Sequence, residues 1–138
     1  LIQTSKVFTE IVEVLLPGMS RLIRSFSHAF RGILFALRNE RNFQIDTIGG
    51  TLAVILMFFF PLSGLERALI ILSVALVLTL ELANTALERV TDILKPRIHP
   101  YARAIKDVMA AAVLLVSLAA VAIGVAIFVP YLAEFFRF

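Results

Sequence analysis

The residues best suited to chemistry lie in ELANTALERVTD, Glu81 to Asp92, directly behind the uncharged run ALIILSVALVLTL at residues 68–80. Advancing about 100° per residue along a helix, Asn84 falls about 60° to one side of Glu81 and Thr85 about 40° to the other. Glu88 and Asp92 return to within about 20° of Glu81, so one polar stripe marks an otherwise apolar helix. Exposed to lipid near the bilayer centre, each charge would cost roughly 3 kcal/mol or more, so the stripe must face protein or a wet cleft. Other polar groups are expected at the same level: Glu40 in RNERNF, Asp46 just beyond it, and Lys106-Asp107 further on.

This set suits phosphoryl transfer, which is mainly positioning and charge neutralisation. Glu81 and Glu88 are roughly 10 Å apart along one helix, too far to ligate a single metal together. Glu40 and Glu88, from two helices, could hold a hard divalent cation. Glu81 is placed to accept the proton of an attacking hydroxyl, and Lys106 to lie on phosphates. Asn84 can hold a carboxylate or a phosphate oxygen. No GxxxxGK[ST] loop and no kinase GxGxxG occurs. A carboxylate near nucleotide and another within reach of a lipid hydroxyl is the arrangement a lipid kinase needs. Two other readings compete. One is a small ion- or proton-conducting transporter subunit with Glu81 as its intramembrane protonation site. The other is a purely structural three-span protein. Glu88 could also pair simply with Lys106 or another cation of the second link, and Glu40 with Arg38 or Arg41.

The elements that must position these residues follow from hydropathy. The 138-residue chain is 60% hydrophobic, with a mean hydropathy of +0.96, well above the usual soluble domain. Its class is therefore all-α membrane protein. Uncharged stretches at 47–65 and 108–133 are long enough to cross a bilayer, and the 68–80 run crosses only if its helix continues to about Asp92. The expected organisation is one membrane-embedded domain over 1–138. It has an extension at 1–19, a surface helix at 20–38 and transmembrane helices at 43–65, 67–94 and 104–133. Pro61, Ser63 and Gly64 mark one turn, and Lys95, Pro96, His99 and Pro100 the other. A further short helix at 5–16 is expected to end near Pro17-Gly18. The chain opens on Leu1, so a processed or truncated N-terminus is expected. Glu10 and Glu13 interrupt the opening stretch, which is not read as a signal sequence. With no cysteine, disulfides and thiolate metal sites are excluded.

Over 20–38, Leu22, Phe26, Phe30, Ile33 and Leu37 recur at helical spacing, opposite Arg21, Arg24, His28, Arg31 and Arg38. Such a basic amphipathic helix is attracted to anionic lipid. Arg21 and Arg31 are carried as further candidate site residues. Lys6, Arg21, Arg24, Arg31, Arg38 and Arg41 precede the first span. Arg89, Lys95, Arg97, Arg103 and Lys106 surround the second link, and only Arg67 lies in the first turn. That bias predicts a bacterial cytoplasmic (inner) membrane protein with a cytoplasmic N-terminus and an external C-terminus. No nucleic-acid partner is expected.

The pattern E-x-x-N-T-A-x-E-x-x-x-D at Glu81–Asp92, with HPYARAIKDVMAAAVLL after it and RNERNF before, resembles the small integral-membrane prokaryotic diacylglycerol kinases and their undecaprenol kinase branch. The likeness covers about 25–130. It implies a homotrimer with active sites between neighbouring subunits, MgATP as phosphoryl donor, and diacylglycerol or undecaprenol as acceptor. The products would be phosphatidic acid or undecaprenyl phosphate. By matched position, Glu81 would be the catalytic base, and Glu40 and Glu88 would hold Mg²⁺ or another hard divalent cation. Asn84, Asp92, Lys106 and Asp107 would complete the nucleotide and phosphate site, and Asp46 falls at another acidic position. Met109 stands where such proteins usually have Gly or Ala, and Ala83 replaces a larger apolar residue.

Overall fold

The computed structural model describes residues 2–93 and 100–137. All regular structure in it is helical: α1 Ile2–Asn39, α2 Arg41–Phe59, α3 Gly64–Ile93 and α4 Pro100–Phe135. Three of these are long and apolar enough to cross a membrane, at Arg41–Phe59, Gly64–Ile93 and Tyr101–Phe135. The expected break at Lys95–Pro100 falls largely on 94–99, outside the described residues. The chain forms two compact units, residues 1–35 and 36–138.

The first unit is helix alone. α1 is continuous through Pro17-Gly18 instead of splitting into two helices. Proline removes one backbone donor there, and the helical residues on both sides carry the helix past it. Along the α1 surface, Arg31 Nη2 and His28 Nδ1 lie 3.0 Å apart. Leu22, Phe26 and Phe30 are exposed.

The second unit holds the three long helices. α3 is central to its packing, against α2 on one side and α4 on the other. Glu40 separates α1 from α2 with an extended backbone, φ −114° and ψ 111°. Its N–H still bonds Ala36 O at 2.9 Å, and its carbonyl accepts from Gln44 N at 3.1 Å. Gln44 Nε2 donates back to Leu37 O at 2.9 Å, so the corner is held on both sides.

α2 stops at Phe59, six residues short of the expected 65. Pro61 accounts for this, because the residue before a proline is pushed out of the helical region. Phe60 is extended accordingly, with φ −107° and ψ 147°. α3 then begins at Gly64, earlier than expected, behind a reciprocal cap. Ser63 N–H donates to Glu66 Oε2 at 2.7 Å and Glu66 N–H to Ser63 Oγ at 3.3 Å. Such a capping box satisfies two backbone donors that a helix start leaves open. Tyr131 of α4 donates to the same carboxylate at 3.1 Å, and Phe60 packs on Phe128 and Tyr131 with ring centroids 6.0 and 6.1 Å apart. The buried core, Met57, Leu62, Ile70, Ile127 and Phe128, lies at this end.

Candidate active site

At the other end of the second unit the buried side chains change character. Glu81, Asn84, Thr85 and Thr91 are all buried on α3, with Glu81 only 2% exposed. The stripe is thus turned toward protein from Glu81 to Thr85, while Glu88 is half-buried and Asp92 is exposed. Asp46 of α2, Glu88 of α3 and Glu40 at the α1–α2 corner all lie close enough to act electrostatically on the Glu81 charge. No described side chain hydrogen-bonds the Glu81 carboxylate.

Around it the polar groups form three bonded sets. Asn84 Nδ2 donates to Glu88 Oε1 at 3.3 Å, while Asn84 Oδ1 is buried with no partner among the described residues. Thr91 Oγ1 donates to the Glu88 carbonyl at 2.9 Å. Glu40 forms an ion pair with Arg89, through Nη2 and Oε1. Lys106 bonds Asp92 at 2.7 Å. Glu40 is therefore paired with Arg89 and not with Arg38 or Arg41. Lys106 is paired with Asp92 and not with Glu88, because Asp92 is one turn nearer the start of α4.

Asp46 also stands at the head of an apolar groove of about 410 Å³ between α2, α3 and α4. Gly49 and Gly50 of α2, Val77 of α3, and Ala120 and Gly124 of α4 are among the residues of its wall. Val77 is one helical turn from Glu81 on the same helix, so the groove wall reaches within about 6 Å of Glu81 in rise along the axis. A second observation concerns hard cations. Among the described residues no three His, Cys, Asp or Glu side chains form a metal cage. Glu40, Glu88 and the orphaned Asn84 Oδ1 are nonetheless oxygen donors of the type Mg²⁺ takes. A magnesium held mainly by phosphates needs only one or two carboxylates. The residues fit such an ion.

The structure thus gathers Glu40, Asp46, Glu81, Asn84 and Glu88, with Asp92 and Lys106 as a bonded pair beyond them. Asp107 is exposed and makes no bond to the cluster among the described residues. Arg21 and Arg31 belong to the first unit and are exposed on it. Met109 is half-buried on α4. Two contributors escaped the sequence reading. Arg89 is one residue past Glu88, about 80° around the helix from Glu81, and stood out only as a charge in the second link. Thr91 lies off the stripe altogether. The Ser63-x-x-Glu66 capping box was also missed, since Ser63 was read only as part of a turn, although S-x-x-E is a helix-start pattern.

Residues 27–128 match the family described as prokaryotic diacylglycerol kinase. The chain is 39% identical over 114 residues to the undecaprenol kinase of Bacillus subtilis, covering 83% of this chain and 93% of that protein. It is 38% identical over 110 residues to the diacylglycerol kinase of Synechocystis sp., covering 79% of this chain and 63% of that protein. It is 32% identical over 104 residues to the diacylglycerol kinase of Escherichia coli K12, covering 75% of this chain and 85% of that protein. The matched residues take in the corner at Glu40, the α3 stripe and the start of α4 together, and the chain belongs to the prokaryotic diacylglycerol kinase family, a family of lipid kinases.

Proposed function

We propose that the protein is an ATP-dependent lipid kinase of the bacterial cytoplasmic membrane. It transfers the γ-phosphoryl group of MgATP to the hydroxyl of a membrane lipid alcohol of the diacylglycerol or undecaprenol class. One observation carries this reading: a buried carboxylate, Glu81, one turn from the head of an apolar groove and beside three further carboxylates. An amphiphile fits that layout, with its tail in the groove and its hydroxyl at Glu81.

Glu81 accepts the hydroxyl proton as the lipid oxygen attacks the γ-phosphorus and the bond to the β-phosphate oxygen breaks, releasing ADP. Asn84 holds the Glu88 carboxylate. Glu40 and Glu88 would hold the divalent cation, which when bound neutralises charge on the phosphates. Lys106, poised by Asp92, supplies a cation to the nucleotide, and Asp107 completes that side. Asp46 sets the polar boundary of the groove. The Lys and Arg bias supports a cytoplasmic N-terminus and an external C-terminus, and a surface role for the basic face carrying Arg21 and Arg31. We read the whole chain as one domain that works as a homotrimer. Glu40, Glu81 and Glu88 come from one subunit, and a neighbour closes the site.

The test offers γ-labelled ATP and Mg²⁺ to the purified protein in mixed micelles, with diacylglycerol and undecaprenol supplied separately. Label should pass to one of the lipids and fall about 10²–10⁴-fold in Glu81→Gln, with nucleotide binding retained. Equal transfer by the variant and the parent removes the base role from Glu81. No transfer to either lipid by folded protein sinks the kinase reading for these substrates.

A further inference from the structure

The ion pair between Arg89 and Glu40 joins two residues 49 positions apart, one on α3 and one at the α1–α2 corner. Glu40 occupies the N-cap position of α2, yet its side chain makes no capping bond to that helix. Its carboxylate is bonded instead to Arg89 of α3. Its side chain is 21% exposed and that of Arg89 57% exposed, so the cation sits on the outer side of the pair and the carboxylate on the inner side. Four carboxylates, Glu40, Asp46, Glu81 and Glu88, share this end of the unit. Lys106 is already bonded to Asp92. Among the described residues, Arg89 is thus a cation bonded directly to a member of the acidic set, on an oxygen of the type a divalent cation takes.

We propose that Arg89 is a positioning residue that holds Glu40 in the site before nucleotide binds and exchanges from that carboxylate to the phosphates when the metal–nucleotide takes it. This rests on the kinase reading above. The physical basis is that one carboxylate oxygen cannot serve a guanidinium and a divalent cation equally. The incoming triphosphate is also a better partner for the released guanidinium, which matches phosphate geometry with two parallel donors. Arg89 lies beside Glu88 on the same helix, so only its side chain needs to move. The exchange makes the two affinities respond in opposite senses when Arg89 is removed. A merely structural ion pair would weaken both or neither.

The experiment uses the full chain in detergent with no lipid acceptor, so no turnover contributes. Magnesium alone is titrated while the melting temperature is read, and a non-hydrolysable ATP analogue is titrated separately by equilibrium binding in excess magnesium. In Arg89→Gln the magnesium midpoint should fall about fivefold and the analogue affinity should weaken about tenfold, the range of ordinary site–site coupling. The magnesium effect should vanish when Arg89→Gln is placed in a Glu40→Gln background, since the two act as one unit. If Arg89→Gln does not fold, Arg89→Lys keeps the charge without the fork and should shift both midpoints in the same two directions, by less. Unchanged midpoints, or both affinities weakened together, overturn the exchange while leaving the kinase reading intact. So does a parent that binds the analogue but gives no magnesium response. A folded parent that binds no analogue at all removes the kinase reading and this proposal with it.

Discussion

Asn84 shows how much a single side chain in this site is asked to do. Its amide donates to Glu88 while its carbonyl oxygen is buried without a partner among the described residues. Replacing the amide by a carboxylate would set a like charge against Glu88 at hydrogen-bonding distance. Asn84→Asp is therefore expected to lose about a hundredfold in transfer rate, the cost typical of one misplaced polar group in an active site. Asn84→Ala should lose less, because it removes a donor without adding a charge. Initial rates of the two variants against one lipid decide the order, and a milder effect for the aspartate would remove Asn84 from contact with Glu88. The identities of Glu40, Glu81, Asn84 and Glu88 were legible from residue type and helical spacing. The partners of Glu40 and Lys106 were not, because Arg38, Arg41 and Arg89 are equivalent until the corner at Glu40 has a direction.

At the scale of elements, two features hold the long helices together. On α2, a Cβ added to Gly50 would lie 2.7 Å from Val74 Cγ1 on α3. Val74 is β-branched and stiff at χ1, so it has little room to yield. Gly50→Val should destabilise the α2–α3 contact by about 1–3 kcal/mol and narrow the groove, lowering both the melting temperature and lipid phosphorylation. A variant with the parent's melting curve would show that the helices are not closely apposed there. At the far end, Tyr131 ties α4 to the α3 cap through Glu66. Tyr131→Phe keeps the ring contacts with Phe60 and removes those bonds. The melting temperature should drop by a few degrees with the nucleotide affinity unchanged, because the clasp and the carboxylates occupy opposite ends of the unit. Thermal denaturation alongside analogue binding separates the two, and a loss of nucleotide affinity would contradict that separation.

For the whole molecule, the grouping of Glu40, Glu81 and Glu88 within one chain makes a prediction about assembly. In the proposed homotrimer, subunits carrying Glu40→Gln and subunits carrying Glu81→Gln, each expected to be inactive alone, should stay inactive when mixed and reassembled, because every site then lacks one of its own carboxylates. Recovery toward a quarter of the parent rate would mean that neighbouring chains share these residues. The measurement is lipid phosphorylation after mixing the two variants in detergent and reconstituting them together. The same grouping explains why the ion-conducting alternative was attractive from the sequence. Glu81 alone is a buried intramembrane acid, and only its company distinguishes a transfer site from a protonation site.

Composition and spacing by themselves determined that the chain is helical, that three helices are long and apolar enough to cross a bilayer, and that one of them carries a polar stripe, buried in the structure at Glu81, Asn84 and Thr85. These are local consequences of side-chain hydropathy and helical period, and they need no knowledge of neighbours. Pro61 and Ser63-x-x-Glu66 likewise mark the α2–α3 turn through backbone chemistry confined to a few residues. The tertiary structure alone decided that Glu40 is bound by Arg89, that Lys106 is bound by Asp92, and that an apolar groove ends at Asp46 beside Glu81. Such pairings depend on which helix faces meet. That follows from packing among residues far apart in the chain, such as Gly50 against Val74 and Tyr131 against Glu66, and no single stretch of sequence contains it.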